Sequence, residues 1–216
     1  MNKQNVLNFL AENPDFLAEH AETLGVRLRD DKVRSFAQAQ LAAAQIKADK
    51  MAAQMAQMMA AAEANHATMQ RLLALDIALL RANTVAQAVQ ALYRSLEQDF
   101  GLQQYRLVLA AEPHNKAKIP PALCVADERA KAEIAAMDAP VLGSKISPAL
   151  RALLPADGKV AESFLQLPVP IGGRTGALLL AADEDVARFG EDLPTEWIVR
   201  MAEAVGAVLS RVMGYR

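Results

Sequence analysis

Between Val26 and Phe100 the chain has neither glycine nor proline. Nothing in that stretch forces a turn, and its middle is built from Ala, Met, Gln, Lys and Leu, all strong helix formers. Other shortages exclude functions. A single cysteine, Cys124, rules out an internal disulfide framework and a cysteine-rich zinc site within one chain. The three histidines, His20, His66 and His114, are far apart and offer no short-spaced metal pair. No metal or other cofactor is expected. No apolar run reaches the roughly 18 residues that suggest a membrane span. No basic segment precedes an apolar one at the N-terminus, so no signal peptide is expected and the expected location is cytoplasmic. The formal net charge of −2 supplies no global field for nucleic acid.

The expectation for the middle of the chain is one long helix from Lys32 to about Ala82. At 1.5 Å per residue, its roughly 50 residues span about 75 Å. It carries a heptad seam. Leu41, Ala48, Met55, Ala62 and Met69 form one row, and Ala37, Ala44, Met51, Met58, Asn65, Leu72 and Leu79 a second. Two apolar rows per heptad are the pattern of a coiled coil. The seam can pair with a second chain or fold back on helices of its own. The expected partner is a second copy, with Leu41, Met51, Met55, Met58, Met69 and Leu72 at the dimer interface.

Ahead of the long helix, residues 1 to 25 read as two short helices reset at Asn13-Pro14-Asp15, the second ending near Gly25. The pair invites a helix-turn-helix reading, but Lys3 faces Glu12, Asp15, Glu19 and Glu22. A recognition helix needs cations for the phosphates, so direct nucleic-acid contact is not expected. The mixed cluster Arg27, Arg29, Lys32 and Arg34, broken by Asp30 and Asp31, reads as a solvated helix start. Asn83 and Thr84 offer a new N-cap, with Gln87 completing a capping box. Whether the long helix breaks or bends there stays open.

From Gly101 onward the composition changes: every proline but Pro14 and every glycine but Gly25 lies at or beyond this point. The reading is helix Val85–Phe100, strand Tyr105–Ala110, a short apolar run 122–126, helix Glu128–Met137, irregular chain Pro140–Ser147 and a short helix Pro148–Leu154. Leu165, Leu167, Val169 and Ile171 then alternate along a strand, Gly172-Gly173-Arg174-Thr175 turns the chain, and Gly176–Ala182 returns. Pro168 and Pro170 cannot donate to a ladder, which places them on an edge or at a bulge. A helix from about Pro194 to Met213 closes the chain. The fold class is α+β, with a helical arm in residues 1–82 and a domain in 83–216 whose first and last helices pack on one face of an antiparallel sheet.

Two stretches carry a resemblance. VLNFLAENPDFLAEH, Val6–His20, and SFLQLPVPIGGRTGALLLAADEDVARF, Ser163–Phe189, followed by the closing helix, resemble the two ends of a bacterial family known as domain of unknown function 484. The same ending is similar to GAF domains, which are sensory and regulatory modules. The resemblance implies a helical arm, a GAF-like domain and dimers. It supplies no catalytic residues. Cys124 is followed by Val125, not by the His of many bilin-binding GAF domains, and no cyclic-nucleotide motif is matched.

The functional expectation is therefore a non-enzymatic, dimeric regulatory or scaffolding protein whose GAF-like module binds a small molecule or another protein. One alternative is an accessory factor of DNA recombination acting through protein partners, since the family is often encoded beside a site-specific recombinase. Another is a small-molecule enzyme; GAF-fold reductases of free methionine sulfoxide use several cysteines, and this chain has one. A ligand pocket is expected on the sheet face left open by the terminal helices, with Arg106 and Cys124 as ligand-binding residues. Read without a ligand, Arg106 forms a surface salt bridge, Cys124 is a small buried hydrophobe, and Gly172-Gly173-Arg174 is a hairpin turn, not a phosphate cradle.

Overall fold

The computed structural model describes residues 3–13, 16–20, 22–25, 29–155 and 160–215. The chain divides into two compact units, Met1–Glu63 and Ala64–Arg216. The first holds α1 (Lys3–Glu12), α2 (Phe16–Glu19) and α3 (Arg29–Leu80) as far as Glu63. The ring of Phe9 meets that of Phe16 edge-on, centroids 5.2 Å apart, and Phe16 packs against His20. The cap read at Pro14 and Asp15 lies outside the described residues, as does Arg27. The second helix, expected to run to Gly25, ends at Glu19.

α3 is a single helix of 52 residues. It ends at Leu80, and α4 (Val85–Gln98) begins after a short break, which settles the question left at Asn83. The break is hydrogen-bonded. Thr84 Oγ1 accepts from the amide of Gln87 at 3.2 Å, and Gln87 Oε1 accepts from the amide of Asn83 at 2.8 Å. This is a reciprocal cap, with the return bond made one residue earlier than in the usual capping box.

The C-terminal unit is built on four strands: β1 (Gln104–Leu109), β2 (Val141–Gly143), β3 (Ser163–Ile171) and β4 (Arg174–Asp183). Their order is β1-β4-β3-β2, antiparallel throughout. β2 falls in the stretch expected to be irregular. Three residues, preceded by Pro140 and ending in Gly143, are too few to show an alternating pattern, and only pairing with β3 makes them a strand.

The two prolines of β3 sit where the lack of an amide donor costs nothing. β2 pairs only with Phe164, Leu165 and Gln166, so Pro168 and Pro170 lie beyond its end. A bulge separates Val169 from Pro170. The hairpin that follows is a two-residue turn with φ of 61° at Gly172 and 83° at Gly173, the left-handed pair that suits tightly twisted strands.

Both faces of the sheet are covered. One carries the ends of α3 and α4 and the closing helix α7 (Glu196–Met213). There Leu72, Leu75, Leu79 and Leu92 join Leu107, Leu167 and Leu179 in the larger core. α7 lies against β3, with Gly206 over the bulge. The opposite face, expected to be open, is closed by α5 (Glu128–Ala135) and α6 (Pro148–Arg151). Val108, Leu178 and Leu180 bury against Val125, Ala130, Ile134 and Leu150. Polar ties hold these short helices down. Thr175 Oγ1 donates to Met137 O at 2.7 Å, Ser147 caps α6 and donates to Glu133 at 2.8 Å, and buried Gln166 donates to Lys145 O at 3.0 Å.

Candidate functional site

Arg106 stands on β1, facing away from Tyr105 and Leu107 as read. Among the described residues its guanidinium has no ion-pair partner. It donates to Leu153 O at 3.1 Å and to Ala122 O at 2.7 Å. Two of its five donors thus staple the chain segments that close the second sheet face. An open groove of about 500 Å³ runs past it between α4, β1 and Leu123. Cys124 is not in the walls of that groove, so the structure does not bring the two candidate ligand residues into one site. Cys124 is exposed, a correction to the buried reading. Leu123 and Val125 point inward, and alternation turns the thiol between them out, 3.9 Å from Pro120 O.

The turn amides have a use of their own. Gly172 N donates to Ser210 Oγ at 3.1 Å, tying the hairpin to α7 and leaving that donor unavailable to a phosphate. Among the described residues no three His, Cys, Asp or Glu side chains converge as a metal site would require. His66 meets Gln70, and His114 stacks on Tyr215 with centroids 3.9 Å apart. Among the described residues no helix is long and apolar enough to cross a membrane.

The seam residues divide. Leu41, Met51, Met55, Met58 and Met69 are exposed in the single chain, Met55 at 67% and Met58 at 73%. Met51, Met55, Met58 and Met59 form a continuous apolar strip with Ala52 and Ala62. Leu72 does not belong with them. It is 8% exposed and packed into the sheet-bearing unit, so its expected place at a dimer contact gives way to one in the chain's own core.

A second cavity lies elsewhere in the C-terminal unit, on the face of the terminal helices. It encloses about 560 Å³ between α3, the end of α4, the sheet and the segment entering α7. Its floor is apolar, from Leu165 and Leu179 of the sheet. Its sides are aromatic, from Phe100, Phe189 and Trp197. Arg71 and Arg188 bring cations to its rim, and Glu196 a carboxylate. The loop after β4 places Arg188. Asp183 and Asp185 side chains accept from the amides of Asp185 and Ala187, each at 2.9 Å, curling the chain so that Arg188 donates to Phe100 O. Glu196 lies in the first turn of α7, whose N-cap residue Thr195 makes no side-chain cap. Its charge there complements the positive end of the helix.

The family comparison accounts for all but the last three residues of the chain. The family described as "Protein of unknown function, DUF484" matches residues 1–213. The chain belongs to the DUF484 family. No curated protein matches it. Among solved structures, the chain is similar to the GAF domain of the Acinetobacter phosphoenolpyruvate-protein phosphotransferase, at 12% identity and a TM-score of 0.50, covering 68% of this chain and 95% of that one. It is also similar to the GAF domain of the potassium sensor histidine kinase KdpD from Escherichia coli, at 12% identity and a TM-score of 0.45, covering 68% and 95%. This DUF484 chain therefore carries a GAF-like α+β fold behind a long N-terminal helix.

Arg71, Arg188 and Trp197 were not singled out from the sequence as site residues. Arg188 and Phe189 stand inside the stretch that carries the family resemblance, which was the available signal. Arg71 has none, because apart from Asn65, Thr68 and Leu72 of its own helix the cavity is walled by segments distant in the chain.

Proposed function

We propose that this DUF484 protein is a non-enzymatic, cytoplasmic regulatory protein that works as a homodimer, its arm pairing two chains and its GAF-like unit binding a small molecule or a partner protein. The observation that carries the reading is the methionine strip on α3. Met51, Met55, Met58 and Met59 are all exposed in one chain, and a contiguous strip of that kind marks an interaction surface. Burying each methionine contributes about 1.5–3 kcal/mol, enough for several per chain to outweigh the cost of association. The GAF-like fold supports a sensory module. The groups with chemical potential have structural duties: Arg106 holds two carbonyls and Gly172 holds Ser210. Cys124 has no second thiol within the chain.

Sedimentation of the wild type and of Met55→Glu/Met58→Glu tests it. The wild type is expected to be a dimer at about ten micromolar, a range weak associations still populate. The double variant is expected to be a monomer with unchanged helical and sheet circular dichroism. A monomeric wild type refutes the homodimer.

A further inference from the structure

We propose that the cavity beneath Trp197 is a binding site for an amphipathic organic anion, a molecule with an apolar or aromatic body and one carboxylate- or sulfonate-like head. This names the ligand class of the small-molecule module proposed above, and it rests on that reading only in treating the GAF-like unit as a sensor.

Three observations converge on the ligand class. The first is size. A volume of about 560 Å³ lies in the range of small-molecule sites. The second is the wall. Leu165, Leu179, Phe189 and Trp197 offer no hydrogen-bonding surface apart from the indole N–H, and Asn65 and Thr68 on α3 add the only neutral polar side chains of the lining, so the body of the ligand must be largely apolar to gain from entering. The third is the rim. Arg71 and Arg188 are exposed cations on different elements, and both line the same opening.

Arg188 commits one N–H to Phe100 O, which orients its plane and leaves other donors of the fork. Arg71 has no hydrogen bond or ion pair with any other described residue. A guanidinium is suited to an oxyanion head with delocalised charge, two oxygens of which it can bind through two parallel bonds. Glu196 is the one carboxylate among the lining residues. It leaves the rim with a net single positive charge and disfavours a head carrying several negative charges. A neutral apolar ligand would use the wall and leave both cations without a role. A nucleoside polyphosphate would suit neither the apolar floor nor Glu196.

The test uses the full chain and two probes with similar ring bodies. One is 8-anilinonaphthalene-1-sulfonate, an aromatic anion; the other is the uncharged N-phenyl-1-naphthylamine. Trp197 is the only tryptophan in the chain, so its emission reports binding without labelling. Saturable binding of the anion, one per chain, with quenching of Trp197 is expected, and the neutral probe should bind at least tenfold more weakly. Arg71→Gln and Arg188→Gln should each weaken the anion by about tenfold, and together by about a hundredfold, the loss expected for charge-assisted hydrogen bonds. Arg71→Gln removes no hydrogen bond within the described chain, so it isolates charge from folding, and thermal melts of all three variants check the fold. Equal binding of the two probes overturns the anion assignment. Equal affinity in the wild type and the double arginine variant overturns the site, as does an absence of saturable binding. Sedimentation of the same samples keeps the outcomes apart: a dimer that fails to bind the anion sinks this inference alone, while a monomer that binds it sinks the homodimer and leaves the site standing.

Discussion

A thiol standing in solvent between two inward-facing neighbours has little to lose. Cys124 packs against nothing that a serine could not face equally well, so Cys124→Ser should change stability by less than about 0.5 kcal/mol. The native thiol should react with Ellman's reagent without denaturant, and a native thiol that reacts only after unfolding would contradict its place on the surface. Tyr105 behaves differently. Burial raises its phenol pKa above the ordinary value of 10.0, and the hydrogen bond its hydroxyl donates to Glu97, with that carboxylate's charge, raises it further. Tyr93, whose hydroxyl accepts from Leu107 N at 2.9 Å, is raised by burial as well. A raised acid holds its proton more tightly when folded. The stabilisation is full below the unfolded value near 10 and is lost as pH climbs toward the folded value. Urea unfolding at pH 9 and pH 11 should show a fall in stability, and Tyr105→Phe should make that fall smaller. An equal fall in both proteins would contradict the coupling to Glu97.

α7 and β3 meet at a point where one methyl group decides the packing. Gly206 sits in mid-helix, where glycine is less favourable than alanine by roughly 0.5–1 kcal/mol. Tertiary contact reverses the preference. A Cβ at Gly206 would lie 2.1 Å from Pro170 O, a backbone atom at the bulge of β3. The carbonyl cannot rotate away as a side chain would, so α7 must move off the sheet. Gly206→Ala should destabilise the protein by about 1–3 kcal/mol, the usual penalty of overpacking, despite its better helix propensity. A thermal melt reads this directly, and an unchanged or raised midpoint would show that the helix and the bulge do not touch. The bulge thus has two neighbours: the β3–β4 ladder resumes past it at Pro170 and Thr175 in a shifted register, and the bare backbone of α7 packs on the Pro170 carbonyl.

The boundary of the folded unit falls inside a helix, and this has consequences for the whole chain. Read from composition, the domain begins at the cap around Asn83. In the fold, Leu72, Leu75 and Leu79 of α3, and Ala82 two residues beyond its end, lie in the sheet-bearing core, and the compact unit starts at Ala64. Arg211 reaches back from α7 to donate to Ala82 O at 2.7 Å. Burying a leucine contributes about 1.5–3 kcal/mol, so removing three approaches the whole stability of an ordinary domain. A chain shortened to begin at Ala64 should unfold cooperatively near the midpoint of the full chain. One shortened to begin at Asn83 should lose that transition or aggregate. If the shorter form melts like the longer one, the end of α3 is not part of the core.

What could be read without coordinates was whatever repeats locally. The glycine- and proline-free stretch announced a long helix, the Leu165–Ile171 alternation announced β3, and Gly172-Gly173 announced the turn, because helix propensity, strand alternation and positive φ are properties of neighbours in the chain. The prolines of β3 even foretold an edge or a bulge, and both are present. The same local logic misled at Cys124, where an apolar run hid an alternation, and at Leu72, where one heptad row serves two purposes. Ala44, Met51, Met58 and Asn65 stay exposed on α3, while Leu72 and Leu79 turn into a core shared with α4, the sheet and α7. Periodicity marks a face as apolar without saying what covers it. The cavity lay still further out of reach. Arg71, Phe100, Leu165, Arg188 and Trp197 come from five separate segments, and no spacing along the chain records that folding sets them around one space.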